Sequence, residues 1–209
     1  MEKINMDEWK RKDHFEYFKD FTNPHFSLTV NVDITKLYQF AKNKHYSFFS
    51  IMLFYVMKAA NNVEEFKQRI RDHQVVSHEV VHPSFTYLGD NELFLFVNTD
   101  YDECLESFVK NVEQSIKKAL ENQQFEDDLS RDDLIYISSL PWLFFTSLTH
   151  PFDASHQDSF PRITWGKYIK KDNQVIIPVN VSIHHGLADG VHVGKFFSVF
   201  ERYINDIQY

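Results

Sequence analysis

The chain has 209 residues, 43% of them hydrophobic, and a formal net charge of −8. That is enough chain to bury a core within one domain spanning 1–209, and the acidic balance argues against a nucleic-acid-binding surface, which needs a basic face. The single Cys104 excludes an intrachain disulfide and fits a reducing compartment, and the start Met1-Glu2-Lys3-Ile4-Asn5 carries no apolar signal core, so a cytoplasmic location is expected.

In chain order, Asp7 caps a first helix that ends near Phe18. Residues 27–32 read as a strand, and Asp33 then caps a helix to about Lys42. Residues 47–61 form an apolar helix buried on most sides; its apolar run, 48–57, is too short to span a bilayer. Residues 75–101 hold two or three strands, turning at Gly89-Asp90-Asn91. Residues 103–122 are helical, with Phe108, Val112, Ile116 and Leu120 on one stripe, and 123–133 form an acidic, solvated loop. Residues 134–138, 143–146 and 162–168 are further strands. Helices and strands are interspersed, so the class is α/β, a mixed sheet covered by helices. The 21 phenylalanines belong first to the core, with a pocket or a subunit interface as further uses.

Chemistry concentrates near the C-terminus. Residues 174–183 read as a strand in which Val175, Ile177, Val179, Val181 and Ile183 alternate with mostly polar or constrained neighbours. The strand runs into His184-His185-Gly186-Leu187-Ala188-Asp189-Gly190, after which Val193, Phe196, Phe197, Phe200, Ile204 and Ile207 recur at helical spacing. Continued alternation puts His185 on the face of the five apolar side chains. Its nitrogens leave water there and need a partner or a substrate. Histidine changes charge near neutral pH, so an inward imidazole at a strand end suits proton transfer.

The same residues also admit plainer readings. Asp189 fits a helix N-cap, Gly186 and Gly190 fit turns, and His185 fits a satisfied core histidine. His184 faces the other side of the strand from His185, and His192 does not match helical zinc spacing, so no metal site is expected.

The run matches the His-His-x-x-x-Asp-Gly signature of the CoA-dependent acyltransferase superfamily, and nearly the whole chain resembles the chloramphenicol acetyltransferase family. Residues 9–18 look like that family's opening helix, and Phe26-Ser27-Leu28-Thr29 with Val32-Asp33-Ile34-Thr35 look like its first strand and turn. His82-Pro83-Ser84-Phe85-Thr86 resembles another family segment. Ser138-Ser139-Leu140-Pro141-Trp142 is close to its Ser-x-Leu-Pro-Trp element, and Thr164-Trp165-Gly166-Lys167-Tyr168 to its Thr-x-x-Lys-Tyr segment.

The resemblance implies a two-layer sandwich, and a homotrimer with active sites at subunit boundaries. It implies acetyl transfer from acetyl-CoA, a co-substrate rather than a resident cofactor, to the primary hydroxyl of chloramphenicol. His185 is then the base and Ser138 the oxyanion donor, and Thr164 polarises the intermediate through a water. Asp189 pairs with Arg11 as support rather than acting in a Ser-His-Asp triad. The drug pocket is lined by Tyr17, Phe18, Phe26 and Phe94. Lys167 and Tyr168 lie near the CoA tunnel, where phosphate neutralisation and adenine stacking compete with surface charge and sheet packing as their roles.

Ala188 departs harmlessly from the pattern, whereas Pro24, Phe96, Tyr136, His150 and Asp158 alter the pocket and bear on acceptor affinity. Competing readings are an acyltransferase of the same fold with another hydroxylated acceptor, a dihydrolipoamide acyltransferase core, and an inactive trimeric binding module.

Overall fold

The computed structural model describes residues 1–89, 92–122, 130–151 and 158–208. In chain order the elements are β1 (Glu2–Lys3), α1 (Lys12–Phe18), β2 (His25–Asp33), α2 (Thr35–Asn43), α3 (Phe48–Asn61), β3 (Gln68–Arg71), β4 (Gln74–Ser77), β5 (His82–Leu88), β6 (Phe94–Asn98), α4 (Leu105–Asn122), β7 (Leu134–Leu140), β8 (Arg162–Gly166), β9 (Ile169–Lys171), β10 (Gln174–His184) and α5 (Gly190–Asn205).

The main sheet runs β2-β10-β8-β7-β5-β6, with β9 paired to the start of β10. It is mixed: β7 lies parallel to β5 and β8, and the other pairings are antiparallel. One sheet face and helices α2 to α5 enclose the principal core. There Ile177, Val179, Val181 and Ile183 of β10 meet Ile51, Leu53 and Met57 of α3 and Phe196 and Phe200 of α5. A second, smaller sheet, β1-β4-β3, encloses a satellite core of Phe15, Ile70, Val75 and Leu187. That satellite core fastens the N-terminal helix to the segment that follows the two histidines. Among the described residues, no helix is long and apolar enough to cross a membrane.

Several expected boundaries move. The first helix begins at Lys12 rather than Asp7, whose carboxylate instead pairs with Lys12 at 2.8 Å. The residues in between are turned so that Trp9 packs on the satellite core. The expected strand at 143–146 is absent. After β7 the chain turns, and the Leu143 carbonyl takes the Lys167 N–H at 2.7 Å instead of joining a ladder. The strand expected at 162–168 stops at Gly166, and β9 follows it. Strand β3 carries the polar sequence Gln-Arg-Ile-Arg and gave no alternating signal. Two-residue turns at Asp72-His73 and Asp172-Asn173 join β3 to β4 and β9 to β10. All four residues have positive φ, as the twist of a tight hairpin requires. Asp90 and Asn91 of the expected turn, and 123–129 of the expected loop, lie outside the described residues.

Candidate active site

β10 ends at His184, and the backbone then turns through Gly186-Leu187-Ala188 into α5. Gly186 is closely packed: a Cβ there would sit 3.0 Å from Cε1 of His184 and 3.3 Å from Cα of Phe15, so a side chain would need its neighbours to give by a few tenths of an ångström. The turn is held by its own hydrogen bonds. Leu187 and Ala188 donate their N–H groups to the His184 carbonyl, at 3.0 and 3.1 Å.

His185 is half-buried and fixed on every side. Its N–H donates to the Pro24 carbonyl at 2.8 Å, and its own carbonyl accepts from Nη2 of Arg11 at 3.0 Å. Its ring lies between Phe18, stacked at 4.3 Å with 14° between planes, and Phe26, tilted at 4.7 Å. Nδ1 stands 3.1 Å from the Ala188 carbonyl, which can only accept, so Nδ1 carries the proton. In the neutral ring the lone pair is then on Nε2, the nitrogen available for taking a proton.

Asp189 satisfies both readings offered by the sequence. It is the N-cap of α5, accepting from the Val191 N–H at 3.1 Å, and it pairs with Nη1 of Arg11 at 2.8 Å. Burial alone would raise its carboxyl pKa. The hydrogen bonds from Arg11 and the Val191 N–H outweigh burial and hold it below the usual carboxylate range.

His184 is buried against His25, with ring centroids 5.6 Å apart. Its Nδ1 accepts the Gly186 N–H at 3.0 Å. Burial, reinforced by the neighbouring histidines, lowers its pKa to about 3. His184 therefore stays neutral and serves the turn.

Ser138 and Thr164 stand elsewhere, on the sheet face that the helices leave uncovered. They are register partners in β7 and β8, and Thr164 is in turn the partner of Asn180 in β10. A polar row results. The Ser138 and Thr86 hydroxyls lie 3.3 Å apart, Thr164 Oγ1 lies 3.3 Å from Nε2 of His150, and Asn180 donates to Thr29 Oγ1 at 3.0 Å. Five residues of β10 and two strand spacings separate Ser138 from His185, roughly 15–20 Å at ordinary strand dimensions. One chain does not bring these two side chains together.

Tyr17, Phe18 and Phe21 form one aromatic cluster beside His185, with ring centroids 4.9 to 5.3 Å apart. Phe21 was missed in the sequence, although it follows Tyr17 and Phe18 at helical spacing. Phe94 does not join this wall. It lies on β6, at the opposite edge of the sheet from β2, against Phe96.

Next to the Ser138–Thr164 row is a cavity of about 300 Å³ lined by polar residues, among them His25, Ser27, Thr29, His150, Arg162 and Asn180. This differs from the aromatic pocket expected. Arg162 is paired with Asp158, each side chain only 11% exposed, and its guanidinium carbon lies 5.6 Å from the Tyr136 ring centroid. Burial lowers the His25 pKa to about 4, and burial together with Arg162 lowers that of His150.

Tyr168 packs on Tyr38 and Phe48, at 5.1 and 5.6 Å, while Lys167 is exposed. Packing thus occupies part of the Tyr168 ring. Among the described residues, no group of three or more His, Cys, Asp or Glu could hold a metal ion.

A family profile described as chloramphenicol acetyltransferase matches residues 1–201. A chloramphenicol acetyltransferase of Proteus mirabilis is 27% identical over 210 residues, covering 97% of this chain and 94% of its own. A solved chloramphenicol acetyltransferase structure shares 29% identity and a TM-score of 0.87, covering 98% of this chain and 100% of that one. A dihydrolipoamide acetyltransferase structure from Azotobacter vinelandii has a TM-score of 0.70 at 15% identity, covering 88% of this chain and 82% of its own, a likeness of fold alone.

Proposed function

The chain belongs to the chloramphenicol acetyltransferase family and is an acyltransferase that acetylates chloramphenicol; we propose that acetyl-CoA is the donor and that His185 is the base of a direct transfer that inactivates the antibiotic. The observation that carries this reading is the Nδ1 contact to the Ala188 carbonyl at 3.1 Å, which leaves Nε2 free to accept a proton. Nε2 takes the proton of the primary hydroxyl as its oxygen attacks the thioester carbonyl. The Ser138 hydroxyl donates to the oxyanion of the tetrahedral intermediate, with Thr164 polarising it through a water. Collapse breaks the carbon–sulfur bond, and the imidazolium returns its proton to the departing thiolate. No acyl-enzyme is needed.

The separation of Ser138 from His185 supports a site shared between copies, with His185 of one chain facing Ser138 of the next. Three identical head-to-tail contacts close a ring with three such sites, a homotrimer. Exposed apolar residues agree with a covering neighbour: Tyr17 is 67% exposed, Trp142 61% and Leu143 59%. Arg11 and Asp189 hold the site, Tyr17, Phe18 and Phe26 supply aromatic contacts to the drug from the chain that gives His185, and Phe94 supplies one from the chain that gives Ser138. Lys167 and Tyr168 lie along the path of CoA. The soluble, cytoplasmic setting expected from the sequence belongs to the same reading.

One observation favours a second reading, a wider acceptor range. A lining of imidazoles, hydroxyls, an amide and the Arg162–Asp158 pair suits a hydrogen-bonding acceptor better than an apolar ring. Thiol release from acetyl-CoA tests both readings. Chloramphenicol should raise the rate well above the acceptor-free background. Comparable release with chloramphenicol and with a polar hydroxylated acceptor would support the second reading, and no release with chloramphenicol would overturn the first.

A further inference from the structure

The N-terminus of α5 carries an unusual capping box. Its N3 residue is His192, where glutamate or glutamine commonly sits. Nδ1 of His192 accepts the Asp189 N–H at 3.0 Å, and Nε2 lies 3.3 Å from Oε1 of Glu65, in the 3-10 turn Glu64–Lys67. The two side chains are 10% and 18% exposed. A neutral imidazole has one donor and one acceptor nitrogen, and these partners assign both: Nε2 donates to the carboxylate and Nδ1 accepts from the backbone.

We propose that His192 and Glu65 are positioning residues for acyl transfer, holding Asp189 so that Arg11 can fix the carbonyl of His185. The proposal rests on His185 being the base. The chain of contacts is continuous. Glu65 holds the ring, the ring holds the Asp189 N–H, the Asp189 carboxylate holds Nη1 of Arg11, and Nη2 of Arg11 holds the His185 carbonyl. Three separate stretches of chain meet here: the residue before α1, the 3-10 turn and the start of α5.

The charged groups facing His192 are Glu65, Asp189, Arg11 and Lys195, and burial nevertheless holds its pKa below that of a free imidazole. Nδ1 also lies 3.0 Å from Oδ1 of Asp189. Protonation there would exchange the bond to the backbone for one to the carboxylate that Arg11 holds. The ring is therefore a device for orientation, and it stays tied to Asp189 in either state.

The test compares His192→Gln with His192→Leu. Glutamine can accept the Asp189 N–H and donate to Glu65, as in an ordinary capping box, whereas leucine fills similar space and does neither. Thiol release from acetyl-CoA with chloramphenicol should show kcat of the leucine variant reduced by about 10- to 100-fold, the scale of a misplaced catalytic group. KM for both substrates should stay within about twofold, and the glutamine variant should stay within about threefold of the parent in kcat. Equal kcat in the two variants, or a loss confined to KM, would overturn the proposal. If the leucine variant does not fold, Glu65→Gln against Glu65→Met gives the same comparison from the other partner, with the same readings. His185→Ala is the control for the underlying reading. If it stays active, the base assignment has failed. If it is inactive while leucine and glutamine behave alike, only the positioning role has failed.

Discussion

Arg11 and Asp189, 178 positions apart in the chain, meet at 2.8 Å and join the two ends of the molecule beside His185. The guanidinium also holds the His185 carbonyl. Arg11→Val and Asp189→Asn should each lower kcat and each cost about 2 kcal/mol of stability, less than a fully buried pair because the Asp189 side chain keeps 31% exposure. Because the side chains share one contact, the double variant should fall short of the sum by about 1 kcal/mol or more in a thermal or denaturant cycle. Additive losses would mean that the pair does not couple and that Asp189 serves only as a cap.

Ser138→Ala should lower kcat by on the order of 10²–10³-fold with KM for chloramphenicol nearly unchanged, the signature of a group that acts on the developing oxyanion. Steady-state kinetics at saturating acetyl-CoA measures this. A rise in KM alone would make Ser138 a binding residue.

His25 and His184 couple stability to pH. Their folded-state pKa values are depressed to about 4 and about 3, below the value of about 6.5 in an unfolded chain. Between those limits the unfolded chain binds protons that the folded chain refuses. The stability they contribute is full above about pH 6.5 and is lost as pH falls through that value toward 4. Tm should fall steadily from pH 7 to pH 4.5, with the slope reduced in His25→Asn. A flat profile would contradict the burial of these rings as neutral groups.

Gly166→Ala should be markedly destabilising. A Cβ there would lie 2.5 Å from the Leu143 carbonyl oxygen and 2.8 Å from Cγ of Pro178. The carbonyl is backbone, already bonded to the Lys167 N–H, and cannot yield cheaply. A loss of about 2 kcal/mol or more in denaturant midpoint is expected, and an unchanged midpoint would show that the segment after β7 moves freely.

Periodicity and apolar runs in the sequence located the long elements: α3 is buried on nearly every side, the apolar positions of β10 are buried, and on α4 the stripe is buried at Phe108 and Val112 but runs out to an exposed Leu120. Strand β10 is in fact buried on both faces, since Asn180, Ser182 and His184 are as hidden as the valines, and alternation alone could not show that. Short polar strands such as β3 were illegible because their order comes from pairing rather than from side-chain pattern. In the site, the motif pointed to His185, and the resemblance to the Arg11–Asp189 pair. The resemblance already put His150 and Asp158 near the pocket, but the polar character of the cavity stayed hidden because Arg162, which pairs with Asp158, gains meaning only once loop and strand are brought together. Glu65 carried no signal, because its partner lies in a distant element.

The central claim is that His185 and Ser138 act on one bond from different copies of the chain, and complementation tests it most directly. Chains bearing only His185→Ala and chains bearing only Ser138→Ala should each be nearly inactive when assayed alone. Co-expressed, they should form mixed trimers, each with one boundary that joins an intact His185 to an intact Ser138. Native mass spectrometry identifies the mixed trimers, and thiol release in the presence of chloramphenicol measures their turnover. The account predicts recovery to a substantial fraction of parental activity, about one site in three for each mixed trimer. Mixed trimers that remain as inactive as either parent variant would contradict it, and would require both residues to act within a single chain.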